Sequence, residues 1–347
     1  MRIAVACSVP LDVRGGSGTA VAVREIGAAL ASRGHAVDVI APEESGPSLT
    51  FRRWWFNRSL DPARLSKSEV VLGVDGDAAR AAAAAGRPYV AVLKGIYPEV
   101  LPHERGMTRR LLGIQAGWER AAAAAASAVV VPSRYSAEAV QRHYGTPPER
   151  LHVVPEPFDL GAWRGRLPAG LRRERTVLCV AHLYPRKRVM DLLEAWSLLL
   201  RERPVGRLRV IGHGPQLGKV RRRARRLPGV SVEGHLPGEE VMRAFATSAV
   251  FALPSAQENF GIAAVEAMAS GLVVVAGDAG ALPETTEGAV RALVPIGDVQ
   301  ALARALAYGL EEAVVRRALV TNPEVAARYD PASVSDRLEG VIARVTR

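Results

Sequence analysis

Short runs rich in Val, Ile and Ala alternate with longer amphipathic stretches almost from end to end of the chain. That alternation restricts it to α/β architecture, with parallel sheets built from βαβ units. The first half offers strands at Ile3–Ser8, Ala36–Ile40, Val70–Val74, Tyr89–Leu93, Ala128–Val131 and Leu151–Val154. Most are continuous apolar runs, as expected of strands covered on both faces. Val23, Ile26, Gly27 and Leu30 follow the first run at the spacing of one buried helical stripe, and Gly34 marks the stop. Proline and glycine then cluster from Glu156 to Gly170, and the pattern restarts at Val177–Ala181, Leu208–Ile211, Val230–Val232, Val250–Leu253, Leu272–Ala276 and Ala292–Val294. Val189, Leu192, Leu193 and Trp196 repeat the helical stripe. The expected organisation is a domain over 1–165, a second over 166–330, and a final helix over 331–347 that could cross back to the first. A length of 347 residues fits two domains at roughly 150 residues each.

Charge and cysteine content exclude several function classes. Cys7 and Cys179 are the only two cysteines, both in apolar runs, so a disulfide framework and a cysteine-based zinc site are excluded. The seven histidines show no metal-ligand spacing, no G-x-S-x-G elbow occurs, and no bound metal or other cofactor is expected. The net charge is +11, carried by arginine except at Lys67, Lys94, Lys187 and Lys219, and it predicts an attraction to anions without naming one. The run Arg221–Arg226 lacks interleaved aromatics and reads as a solvated helix face, so nucleic acid is not the expected partner. The Ala81–Ala85 and Ala121–Ala126 runs read as packed helices. Met1–Ala6 lacks the apolar segment of a signal peptide, and no apolar run approaches the ~18 residues of a membrane span. Cytoplasmic residence is the expectation, with peripheral contact at the inner membrane face as its variant. Trp54-Trp55-Phe56 beside Arg109-Arg110 would suit such contact, although partial core packing of the aromatics is the preferred reading.

Three clusters fall where a strand runs into a helix, the position at which parallel sheets bind ligands. Gly15, Gly16 and Gly18 form a glycine-rich turn before the first helix, where backbone amides can meet a phosphate. The dinucleotide fingerprint is incomplete there, because Val21 stands at its third glycine position. His182 and Arg186-Lys187-Arg188 follow the first strand of the second half and suit an anion. Glu258 precedes a helix that opens at Phe260-Gly261-Ile262, and Glu266 lies eight positions on, inside it. One carboxylate can then meet a ligand while the other sits deeper, beside amides of the helix start.

With Arg33-Gly34-His35, Ile211-Gly212-His213-Gly214-Pro215, Gly234-His235-Leu236 and Gly280-Ala281-Leu282-Pro283-Glu284, these residues resemble the retaining nucleotide-sugar glycosyltransferases of the GT-B fold, the glycosyl transferases group 1 set. The resemblance covers nearly the whole chain, and its most specific signal is the E-x7-E pair Glu258/Glu266. It implies two Rossmann-like doubly wound domains facing a central cleft, the first binding an acceptor and the second a nucleotide-sugar donor, most commonly a UDP-hexose. It implies further that Glu258 holds sugar hydroxyls, that Glu266 holds the ribose, and that Gly261 and Ile262 contact the diphosphate, with Phe260 beside them as a donor contact. The base would be read near Gly234, His235 and Leu236, and Lys187 would match the diphosphate lysine. Three positions depart from the family pattern. His182 stands where its paired arginine belongs, with Arg186 or Arg188 left to compensate, and Lys94 stands where many members carry a histidine, as a candidate catalytic residue that supplies a positive charge instead. Glu156-Pro157 likewise replaces an Asn-Gly pair. The implied acceptor is a small molecule or a lipid, and the oligomeric state stays open. A GT-B epimerase or phosphorylase, a non-catalytic sugar-nucleotide-binding protein and a nicotinamide-dependent oxidoreductase remain alternatives.

Overall fold

The computed structural model describes residues 1–11, 18–43, 48–202 and 206–347. Twelve strands form among them: β1 (Arg2–Ala6), β2 (Ala36–Ile40), β3 (Val70–Val74), β4 (Tyr89–Val92), β5 (Ala128–Val131), β6 (Leu151–Val153), β7 (Thr176–Val180), β8 (Arg207–Ile211), β9 (Val230–Gly234), β10 (Val250–Leu253), β11 (Val273–Gly277) and β12 (Arg291–Val294). Each lies within two residues of its expected position. They make two six-stranded sheets, ordered β2-β1-β3-β4-β5-β6 and β12-β11-β10-β7-β8-β9, and every pairing is parallel.

The period-two geometry of a strand explains the apolar runs. In β1, Ile3 and Val5 enter a core with the helix Gly18–Ser32, whereas Ala4 and Ala6 enter the core on the opposite face. In β7, Val177 and Cys179 pack beneath Leu192, Leu193 and Trp196 of the helix Val189–Glu202, and Leu178 packs with Phe245 and Phe251 on the other side. Burial pushes both Cys7 and Cys179 thiols up to about 12, so they act as small core residues.

The chain divides into two units, Met1–Pro157 with Pro331–Arg347, and Phe158–Asp330. The division falls eight residues before the expected end of the first domain, because the helix Leu160–Arg166 belongs to the second unit. There Trp163 packs at 5.6 Å from Phe158 and 5.4 Å from Phe245, and donates to Ser270 Oγ at 2.9 Å. The last helix, Pro331–Val345, lays Val334, Leu338, Val341 and Ile342 on the core of the first unit. Arg33 fastens it through Glu339 at 2.9 Å, and His35 meets the same carboxylate at 2.7 Å.

Candidate active site

Parallel strands bring all their carboxyl ends to one edge of a sheet, and in the second unit that edge gathers most of the candidate residues. The segment after β7 turns through Pro185–Lys187, and Arg188 closes the turn in the left-handed region at φ +52°. The segment after β10 carries Glu258. Backbone hydrogen bonds lace the two together: the Ala256 N–H donates to the Arg186 carbonyl at 2.7 Å, and Ser255 Oγ donates to the same carbonyl at 3.3 Å. This lacing brings the Lys187 ammonium onto Glu258 Oε1 as a mostly buried ion pair. A third loop clamps Glu258 from behind, with Ala281 N–H donating to the Glu258 carbonyl at 2.9 Å. Gly280 makes the approach possible, since at φ +60° a Cβ there would stand 2.5 Å from the Glu258 carbonyl oxygen.

Gly261, at φ +87°, starts the helix Ile262–Ala269, and no side chain caps it. The Ala264 N–H turns back to the Gly261 carbonyl at 2.8 Å, whereas the Gly261 and Ile262 amides precede the first intrahelical bond, at the helix end whose dipole favours an anion. A Cβ on Gly261 would stand 2.8 Å from Leu282 Cδ2. Inside the helix, Glu266 is partly buried, and desolvation pushes its carboxyl up to about 7, opposed by the charge of Arg166. A carboxyl held at that value is poised to accept hydroxyl hydrogen bonds. Phe260 departs from the expectation of a donor contact: its side chain is 4% exposed and packs edge-on against Tyr329 at 5.0 Å, as core. Arg188 turns to Asp191 at 2.6 Å, and the Arg186 guanidinium lies over the Tyr184 ring at 4.7 Å.

Three imidazoles line up beyond the ends of β7, β8 and β9, adjacent strands of the sheet. His182 and His213 meet edge to face at 4.8 Å, and His213 and His235 at 6.1 Å. Loss of water from its ring, then the charges of His213 and Lys187, hold His182 below the ordinary histidine value. His213 was not among the expected site residues. Its signal was the pair of glycines around it: Gly212 and Gly214 adopt φ of +138° and +148° and press against the backbone of Ala181 and Leu183. Gly234 closes β9 at φ +77°, with Leu236 partly buried beside the core. Among the described residues, no three His, Cys, Asp or Glu side chains are grouped so as to hold a metal ion.

In the first unit, Gly15 and Gly16 lie outside the described residues, and Gly18 begins the first helix. Lys94 follows β4, and its ammonium pairs with Glu156 at 3.1 Å, so these two of the three departures from the family pattern neutralise each other. The backbone at Lys94 and Gly95 is held by Asp75 Oδ1, which accepts their N–H groups at 2.9 and 3.4 Å. Behind Asp75 lies a polar network that sequence reasoning missed. Arg53, 3% exposed, reaches Asp75, Asp77, Gln115 and Tyr97. Asp77 also accepts from the Ser8 N–H at 2.6 Å and from Asn57 at 2.7 Å. Glu119 accepts from the Tyr97 N–H at 3.1 Å and from the Tyr144 hydroxyl, and desolvation pushes it up to about 8. The aromatic run divides: Phe56 is buried in the core, as partial packing of the run requires, whereas Trp54 and Trp55 are exposed.

Comparisons with known proteins agree on the kind of molecule. The family model Glycosyltransferase Family 4 matches residues 16–162, and the model Glycosyl transferases group 1 matches residues 174–312. The MMP alpha-(1->4)-mannosyltransferase of Mycolicibacterium hassiacum is 35% identical over 180 residues, 50% of this chain and 43% of the relative. A GDP-mannose-dependent monoacylated alpha-(1-6)-phosphatidylinositol monomannoside mannosyltransferase of Corynebacterium glutamicum is 30% identical over 151 residues, 41% of this chain and 40% of the relative. The matches thus span less than half the length of these curated relatives. Among solved structures, sucrose-phosphate synthase from Thermosynechococcus elongatus superposes with a TM-score of 0.80 at 20% identity, over 99% of this chain and 98% of that one. Anabaena HepE in complex with UDP-glucose superposes at 0.76 and 20% identity, over 99% and 100%. With one family model on each unit and two six-stranded parallel sheets that match GT-B glycosyltransferases, the chain carries a Glycosyltransferase Family 4 domain and a Glycosyl transferases group 1 domain, and so is of the GT-B glycosyltransferase type.

Proposed function

We propose that this chain is a retaining glycosyltransferase that moves a hexose-type sugar from a nucleoside-diphosphate sugar to a hydroxyl of a small-molecule or lipid acceptor without a metal ion. The observation that carries the reading is the edge of the second sheet, where Lys187 and Glu258 pair beside the uncapped helix start at Gly261, with the Glu266 carboxyl inside it. In the proposed step the bond from the anomeric carbon to the phosphate oxygen breaks, and the acceptor oxygen bonds to that carbon on the same face. The acceptor proton passes to the departing phosphate. Charge builds on that phosphate as the bond breaks, and the Lys187 ammonium together with the Gly261 and Ile262 amides would take it up. Glu258, released from Lys187 by the diphosphate, would hold sugar hydroxyls, and Glu266 the ribose. In the first unit the Lys94–Glu156 pair, rather than a lone ammonium, would serve the acceptor.

UDP is the first nucleotide to try and GDP the second, since one structural neighbour holds UDP-glucose and one curated relative is named for GDP-mannose. The test is a thermal shift with UDP, GDP, ADP and NAD, with and without magnesium. Stabilisation by one nucleoside diphosphate, independent of magnesium and lost in Glu266→Ala, is the expected result. A response to NAD alone, or to none of the four, would overturn the reading. Slow release of the free sugar from the matching nucleotide sugar, followed by NMR of the anomer first formed, then reports on retention.

A further inference from the structure

We infer that the helix Leu49–Ser59 docks the first unit on an anionic lipid bilayer, an inference independent of the proposed reaction. The inner face of this helix is fixed: Thr50, Arg53 and Phe56 are buried, and Gln115 of the helix Gly106–Ala125 donates to Thr50 Oγ1 at 2.9 Å. Its outer face does what a water-facing helix avoids. Phe51 is 48% exposed, Trp54 44% and Trp55 57%, and the rings follow one another at 5.8 and 6.2 Å as one patch. Clustered exposed aromatics of this size mark an interaction surface.

Charge identifies the partner. The helix Leu49–Ser59 contains no acid, and beside the inward Arg53 it carries Arg52, half-buried, and Arg58, exposed. On the helix tied to it, Met107 and Ile114 are exposed beside Arg109 and Arg110, and the first acid, Glu119, is buried. Arg64, exposed, lines the same groove as Phe51, Arg52 and Trp55. Among the described residues, the exposed acids that flank this stretch in the chain are Glu43, Asp61 and Glu69; Asp61 already accepts the Ala63 N–H at 2.9 Å, and Glu69 accepts the Arg2 N–H at 2.6 Å. Indole rings favour the headgroup level of a bilayer, and arginines beside them meet lipid phosphates, so the two features together suit an anionic membrane better than an acidic protein, which would leave the rings unmatched. Among the described residues no helix is long and apolar enough to cross a membrane, so the contact is peripheral.

The full chain is sedimented with phosphatidylcholine vesicles, with and without phosphatidylglycerol, at low and high salt. Partition onto the anionic vesicles alone, weakened by salt, is expected. Trp54→Ser/Trp55→Ser should lower it on the order of tenfold, and Arg58→Glu/Arg109→Glu by at least that. Arg222→Glu/Arg226→Glu changes net charge equally on the second unit and should leave partition unchanged. Equal loss in that control would show attraction by total charge alone and overturn the proposal. So would equal binding to both vesicle types, binding to neither, or self-association in solution that the Trp54→Ser/Trp55→Ser change abolishes. Nucleotide-dependent thermal shifts in the same variants stay as in the parent, so failure of docking and failure of the transferase reading are told apart.

Discussion

Glu266 gives the residue-scale test with the clearest sign. Its carboxyl is raised from an ordinary 4.5 to about 7 in the fold. Between those values the folded protein holds a proton that the unfolded chain has released. Stability from this group is therefore full below about 4.5 and is lost as pH rises through about 7. Glu266→Gln, which cannot ionise, should make the unliganded protein more stable relative to the parent at pH 8 than at pH 5, read from urea midpoints at the two values. Glu119, raised to about 8, adds a change of the same sign that the Glu266 variant leaves in place. Gly280 offers a second test at this scale. Alanine there meets the Glu258 carbonyl oxygen at 2.5 Å at a φ of +60°, and backbone cannot retreat as a side chain would. Gly280→Ala is expected to cost about 1–3 kcal/mol and to weaken nucleotide affinity by displacing Glu258, measured by chemical denaturation and by calorimetric titration with UDP or GDP.

Elements matter most in the first unit, where the helix Leu49–Ser59 joins its neighbours through charge. Arg53 stands between Asp75 and Asp77, and Asp77 is fully buried. Arg53→Met would fill the space yet leave two inward carboxylates unbalanced, at an expected cost of about 3–5 kcal/mol. Urea unfolding followed by Trp54 and Trp55 fluorescence would read it, and a loss under 1 kcal/mol would show that water replaces the guanidinium. From sequence, Arg53 was one of many arginines in a basic stretch. Nothing in its neighbours' spacing showed that it turned inward, because the facing Asp75, Asp77 and Gln115 arrive from separate elements. Glu258 and Glu266 were legible for the opposite reason: loop and helix are consecutive, so their separation in the chain limits their separation in space. Lys94 and Glu156 were each visible as a departure from the family pattern, but their pairing depended on β4, β5 and β6 lying side by side.

At the scale of the whole molecule, the last helix returns to the first unit and completes one face of its core. Ending the chain at Asp330 would take Val334, Leu338, Val341 and Ile342 out of the core they share with Ile3, Val5, Ile26 and Leu30. At about 1.5–3 kcal/mol per buried branched side chain the loss is several kcal/mol. Hydrogen exchange should show lost protection in β1 to β6, with β7 to β12 retaining theirs. The sequence by itself determined the twelve strands, the two sheets and the Glu258/Glu266 pair. Period-two and period-3.6 burial patterns, turn residues and short chain separations are local properties, and local physics writes them directly into the order of residues. Only the tertiary structure decided that Phe260 serves the core, that three histidines stand in a row, that Lys94 is neutralised, and that Trp54 and Trp55 face outward. Each of those outcomes rests on which strand neighbours which and which helix face is covered, and such choices bring together residues whose distance along the chain carries no sign of their meeting.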